Sequence, residues 1–421
     1  MTATAVAKES RRQLPAGWRW VKLGDICKGP GQYGTSTKSN GDERGVPVLG
    51  MYHIHEGRIR WENVSHVDLQ ADELSKYRLL KGDLLFNRTN SAELVGKTAV
   101  YDTDRSAVFA SYLIRFRLIE GTADSHFVSA FINSPGGRRF IEGNMARAIG
   151  QVNISASAMR IMPVPVPPLA EQRRIARVLR EQMAAVERVR AAAQARLEAA
   201  KELPAAFLSQ IFPQPGYPLP ADWRWVRLGD HAVKIGSGLT PLGGQAAYVA
   251  SGISLVRSQN VRMNGFSMAG LAYITEEQDR AMSESRVQAQ DVLLNITGAS
   301  IGRVCVVPET ALPANVNQHV SIIRSDGSLD PWFLSLFLST SQFQERILKA
   351  QAGATRQALT KSLIAAFEIP LAPIEDQRRI ASGLREQMGT AEAACAAAEA
   401  ELNTINALPA ALLRRAFNGE I

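Results

Sequence analysis

Amide, guanidinium and hydroxyl side chains recur in short Gly-, Ser- and Thr-rich stretches of this chain, and their chemistry is the most specific thing its residue types offer. In the first half they are Gln32, Tyr33, Thr35, Ser36 and Lys38, then His53, then Arg88, Asn90 and Ser91, and finally Gln151 and Asn153. In the second half they are Ser237 and Thr240, Arg257, Gln259 and Asn260, Asn295 and Thr297, Gln318, and Arg356 and Gln357. Arginine, asparagine and glutamine can each make two parallel hydrogen bonds to a guanine or adenine edge in the major groove, whereas lysine, serine and threonine hold phosphates. Each residue taken singly is also what a solvated turn contains. As a set they point to DNA contact, and because the two halves carry different sets, to two different short sequences.

Catalytic groupings are missing. The stretch Gly236-Ser-Gly-Leu-Thr240 lacks the lysine of a phosphate-binding loop, and no Gly-x-Gly-x-x-Gly fingerprint follows a strand. No Asn/Asp-Pro-Pro-aromatic motif of an amino-methyltransferase occurs, and His53 and His55 have no third ligand at metal-binding spacing. Cys27, Cys305 and Cys395 are far apart and form no paired motif, so they are expected to be ordinary buried thiols. The chain reads as a binder that carries no metal or cofactor of its own.

At 46% apolar and 21% charged residues, the 421-residue chain has the composition of a globular protein with room for two or three cores. No apolar run is long enough for a membrane span, and a cytoplasmic location is the expectation. The net charge of +8 suits a polyanionic partner. Its distribution is uneven: +4 over residues 14–168 and +3 over 169–218, against +1 over 219–373 and −2 over 374–421. Any DNA contact made by the second half must therefore be carried in large part by neutral polar groups.

The elements that would position these loops occur twice, at a constant offset. Pro168-Leu-Ala-Glu-Gln-Arg-Arg-Ile175 returns as Pro373-Ile-Glu-Asp-Gln-Arg-Arg-Ile380, and Leu14-Pro-Ala-Gly-Trp18-Arg-Trp20 returns as Leu219-Pro-Ala-Asp-Trp223-Arg-Trp225, each 205 residues on. Short β-like runs and one apolar helix lie between these marks in both halves, and proline-punctuated chain (162–168, 369–373) closes each. The tryptophan pairs sit among core-type Val and Leu and read as a hydrophobic clamp rather than a base-stacking platform. After each proline stretch comes a long Ala-rich helix with a four-three apolar seam: Ile175, Leu179, Val186, Val189 and Leu197 in the first, Ile380, Leu384, Leu402 and Ile405 in the second. Residues 170–203 would span about 50 Å, more than one turn of B-DNA. Pro204 and Pro409 are expected to kink each helix into a short terminal segment.

The predicted organisation is an α+β chain in five parts. Residues 1–13 form a disordered tail, 14–168 and 219–373 are two repeated mixed α/β heads, and 169–218 and 374–421 are helical spacers.

With its paired helix starts, its paired Leu-Pro-x-x-Trp-x-Trp entrances and Gln32-Tyr-Gly-Thr-Ser36, the chain resembles the specificity subunit of a type I restriction-modification system over essentially all of its length after residue 13. That resemblance implies that the heads are target-recognition domains, each reading half of a bipartite double-stranded DNA site. It implies spacers packed as an antiparallel coiled coil with pseudo-twofold symmetry that sets the gap and docks two modification (methyltransferase) subunits. Restriction subunits would join through them, with S-adenosylmethionine, ATP and Mg on those partners and none on this chain. Two other readings stay open on the residues alone: a coiled-coil scaffold that binds only proteins, and a self-sufficient methyltransferase or nuclease, which the empty motif search disfavours.

Overall fold

The computed structural model describes residues 14–39, 44–55, 57–91, 94–148, 151–214, 217–352 and 358–421. The tail expected over 1–13 and the candidates Arg356 and Gln357 lie outside them. The chain forms two compact units, Met1–Gln194 with Ala400–Ile421, and Ala195–Glu399. Both boundaries fall within a long helix, and each unit combines one head, the start of the helix that follows it and the end of the other helix.

In the first unit, the entrance strand Arg19–Lys22 pairs antiparallel with Pro163–Val166, setting Trp20 opposite Pro165. Two-stranded pairing leaves an open edge, where prolines cost no ladder hydrogen bond. The start and end of the head are thereby fastened together. Between them, a four-stranded antiparallel sheet runs in the order Gln32–Tyr33, Leu113–Phe116, Leu84–Asn87, Thr98–Val100. A second sheet joins Val108–Phe109 in parallel to Val46–Leu49, which pairs with Ser65–Val67. Helix Ser125–Asn133, capped by Asp124, buries Phe127, Val128, Phe131 and Ile132 in the core.

The second unit repeats the plan. Arg224–Arg227 pairs with Glu368–Leu371, setting Trp225 opposite Pro370. Ala232–Ser237, Val320–Ser325, Val292–Asn295 and Val304–Val306 form the four-stranded sheet in the matching order. Helix Pro331–Leu338, capped by Asp330, covers it. The tryptophans are clamps, as expected: Trp18 meets Phe127 edge-on at 6.1 Å, and Trp223 meets Phe333 at 5.7 Å.

The long helices are Leu169–Ile211 and Ile374–Phe417, and each continues past its interior proline, Pro204 or Pro409, so neither proline ends the helix. Burial of the last turns opposes the loss of a backbone hydrogen bond at proline. Phe417 packs at 5.3 and 5.2 Å from Phe127 and Phe131, and Phe212 at 5.1 and 5.5 Å from Phe333 and Phe337. Inside the first unit, Ile175 and Leu179 share a cluster with Ala416 and Phe417, whereas Val186 and Ala193 cluster with Ile405 and Leu402. Rising numbers on one helix meet falling numbers on the other, so the pair is antiparallel. Within the first unit the seam closes along Leu179, Val186 and Ala193, but Val189 is 47% exposed and falls outside it; its repeat counterpart Ala394, in the second unit, is exposed as well. A helix with 3.6 residues per turn drifts off a strict four-three stripe, and one of the two seam positions turns outward here.

Cys27 and Cys305 are buried, as expected of ordinary buried thiols, and burial pushes both thiols up to about 12. Cys395, on the C-terminal helix, is only half-buried.

Candidate nucleic-acid interface

In the first head, the sheet ends bring several of the candidates together. The Arg88 guanidinium lies 4.9 Å over the Tyr33 ring, and its Nη1 donates to the Ser111 carbonyl at 3.4 Å. The Arg88 backbone N–H donates to Tyr112, and its carbonyl accepts from Ile154. Strand Thr89–Asn90 pairs with Gln151–Asn153, which pairs in turn with Ala146–Ala148. Asn90 Nδ2 reaches Met51 Sδ at 3.3 Å, drawing in the short helix Met51–His53. One patch thus collects Tyr33, Arg88, Asn90, Ser91, Gln151 and Asn153, with Tyr112 (50% exposed) and Tyr52 (83% exposed) beside it. Exposed aromatic faces next to a cation and amides suit stacking, phosphate contact and base-edge hydrogen bonding. Ser36 and Lys38 are exposed, while His53 is half-buried with its Nδ1 accepting from Gly50 N–H at 2.8 Å.

Two first-head candidates belong to the frame instead. Thr35 is buried, with its Oγ1 bonded to Thr37. Gln32 donates to the Lys76 carbonyl and accepts from Arg115, so its amide holds the sheet to the segment at residue 76. Both polar side chains are used up by neighbours, Gln32 on a paired strand and Thr35 in the loop that follows it.

In the second head, Thr240 donates to Gln318 Oε1, and Thr297 Oγ1 lies 2.6 Å from His319 Nδ1. Ser237, Thr240, Gln318 and Gln259 are exposed. Arg257 stacks at 5.4 Å on Tyr248, and both Arg257 and Gln259 donate to the Gly270 carbonyl. Asn260 and Asn295 are fully buried. Asn260 accepts from Arg257 N–H and donates to Ser267, and Asn295 donates to Ser258 and Ser300. Neither amide is available to a base, so these candidates too are corrected to framework roles.

The most telling pair escaped the reading of the loops. Gln172 and Gln377, at the same place in the repeated helix start, are 1% and 0% exposed. Gln172 accepts from the Asp124 backbone N–H at 2.9 Å and donates to Pro167 at 2.8 Å; Gln377 accepts from Asp330 at 2.8 Å and donates to Ala372 and Ser328. Each amide thus ties the first turn of a long helix to the cap of its head's apolar helix. A second duplicated device is a buried aspartate: Arg117 grips Asp83 at 2.7 Å and Arg324 grips Asp291 at 2.8 Å. The hydrogen bond to Asp291 holds the Arg324 guanidinium above its ordinary range. Tyr112 was also missed, hidden within the apolar run 107–119; the Ser111-Tyr112 break in that run was its only signal.

Two repeated heads, each fastened to a long helix and each carrying a different polar loop surface, define a class of two-headed recognition proteins. The model of the type I restriction modification DNA specificity domain matches residues 15–193 and 220–391, and the chain belongs to that family of specificity subunits. A Methanocaldococcus jannaschii protein, named as a candidate MjaX specificity subunit of a type I restriction enzyme, is 24% identical over 89% of this chain and 87% of its own length. The fold is that of a chain solved in a study of type I R-M complex assembly (TM-score 0.75, 22% identity, covering 97% of this chain and 100% of that one). The HsdS subunit of Thermoanaerobacter tengcongensis is also similar (TM-score 0.62, 22% identity, 98% and 99% covered). No helix among the described residues is long and apolar enough to cross a membrane.

Proposed function

We propose that this chain reads a bipartite double-stranded DNA sequence, one part with each head, and docks methyltransferase subunits through its helical spacers. The observation that carries this reading is the pairing of duplicated framework, down to Gln172 and Gln377, with loop surfaces that differ between the heads. Selection for one target would keep the loops alike, and a structural repeat would have no use for exposed Tyr112, Gln259 and Gln318. The helix length would set the gap between half-sites. Two modification subunits would bind, restriction subunits would join through them, and S-adenosylmethionine, ATP and Mg would act on those partners, with no cofactor on this chain. The setting would be the cytoplasm.

The base-reading set narrows to the accessible candidates Tyr33, Ser36, Lys38, Arg88, Asn90, Ser91, Gln151, Asn153, Ser237, Thr240, Arg257, Gln259, Thr297 and Gln318. The test is binding of the chain, with its methyltransferase partner, to duplexes in which the gap between half-sites is lengthened or shortened by one base pair. Affinity should fall steeply with either change and with added salt. Indifference to the gap removes the ruler, and the absence of any DNA mobility shift leaves a protein-only scaffold.

A further inference from the structure

The second head presents an apolar tip where the first presents hydroxyls and a lysine. Immediately after Gly34 in the first head stand Thr35, Ser36, Thr37 and Lys38; immediately after Gly238, at the matching end of the matching edge strand, stand Leu239, Thr240, Pro241 and Leu242. Both glycines are required by close approach. A side chain at Gly34 would collide with the Phe109 carbonyl, and one at Gly238 with that of Val316. The Gly238 N–H also donates to the Asn317 carbonyl at 3.1 Å. Gly243 and Gly244, at φ of 93° and 58°, turn the chain back in the left-handed region that favours glycine, and Gly244 N–H donates to Pro241. Within this anchored turn Leu239 is 64% exposed and Leu242 99% exposed.

Single exposed leucines are ordinary, but two on one pinned tip beside the Thr240–Gln318 hydrogen bond form a built apolar element inside the candidate interface. Its setting selects the occupant. Residues 219–373 carry a net charge of only +1, so this head has little electrostatic hold on phosphates. The apolar group that a DNA major groove offers is the thymine 5-methyl. We propose that Leu239 and Leu242 read thymine methyl groups in the half-site of the second head, a reading that rests on the DNA-recognition function proposed above.

The experiment uses the complete complex with methyltransferase subunits and a duplex carrying the recognition sequence, obtained by mapping methylated bases in the source genome. Thymines are replaced one at a time by deoxyuridine, which removes only the methyl. In one half-site, one or two replacements should weaken binding about four-fold, the value of one buried methyl-sized group. The Leu239→Ser/Leu242→Ser variant should bind about ten-fold or more weakly and lose sensitivity to deoxyuridine at those positions, keeping it elsewhere. Parental affinity in the variant, or unchanged deoxyuridine sensitivity, overturns the proposal. So does weaker binding with no deoxyuridine effect in the parent, which marks a wedge between bases, and so does loss of methyltransferase subunits from the variant, which marks a protein contact. Failure of the parent to prefer the recognition duplex over unrelated DNA would instead overturn the DNA-reading function itself.

Discussion

The two heads agree wherever the chain fastens a head to a helix and disagree wherever the surface is open. Both bury a glutamine amide at the helix start, both grip a buried aspartate with arginine, and both receive a phenylalanine from the end of a long helix. On the open side, the first head sets Arg88 over Tyr33 and follows Gly34 with hydroxyls and a lysine, whereas the second sets Arg257 over Tyr248 and exposes Leu239 and Leu242. A duplicated frame is costly to change because every member satisfies another's buried polar or apolar surface. An open loop carries no such constraint and can follow its target.

The comparison is broken most easily at the phenylalanines. Phe212→Ala and Phe417→Ala should each lose about 3–5 kcal/mol of stability by chemical denaturation, because each empties an aromatic cluster in its own unit. Unequal losses would show that the two frames are alike in sequence but not in energetics. Next come Gln172→Ala and Gln377→Ala, each leaving a cap N–H and a carbonyl unpaired at a cost of about 1–3 kcal/mol. Asn260→Ala belongs with them: it should lower stability and leave base preference alone, since its amide serves only the loop.

The open side should answer differently. Arg88→Ala or Gln259→Ala should leave the unfolding midpoint in place and cost about 1–3 kcal/mol of discrimination at one base-pair position, measured against duplexes mutated position by position. A uniform loss over all sequences would make the residue a phosphate contact.

The smallest effect concerns the place where the frames diverge, near the start of each head's apolar helix. Arg385 stacks on Trp332 at 3.9 Å, while the first head has His126 at the corresponding point, 3.2 Å from Asp102. Burial, aided by the positive charge of Arg180, holds the His126 imidazole below its ordinary range despite Asp102. The folded state therefore binds a proton less readily than the unfolded one, and stability present above about pH 6.5 is lost as the pH falls through that value toward the folded pKa. His126→Gln should flatten the stability profile of the chain between pH 7 and 5. An unchanged profile would assign the acid sensitivity to other groups.

Repetition and periodicity, which are local in sequence, were enough to determine the two heads, the long helices, the tryptophan clamps and the lack of a catalytic motif. They were enough because an offset of 205 and a helical apolar stripe depend on residue order alone. Which polar residues would face outward was not legible: Gln32, Thr35, Asn260 and Asn295 have the composition of readers, yet strand pairing and loop closure bury them or use their amides. The function of Gln172 and Gln377 was likewise hidden, since their partners at Asp124 and Asp330 lie 48 and 47 residues away. Continuity of the helices through Pro204 and Pro409 and the outward turn of Val189 were also settled in three dimensions. Burial and hydrogen-bond satisfaction are properties of what surrounds a residue, and only the folded chain decides what that is.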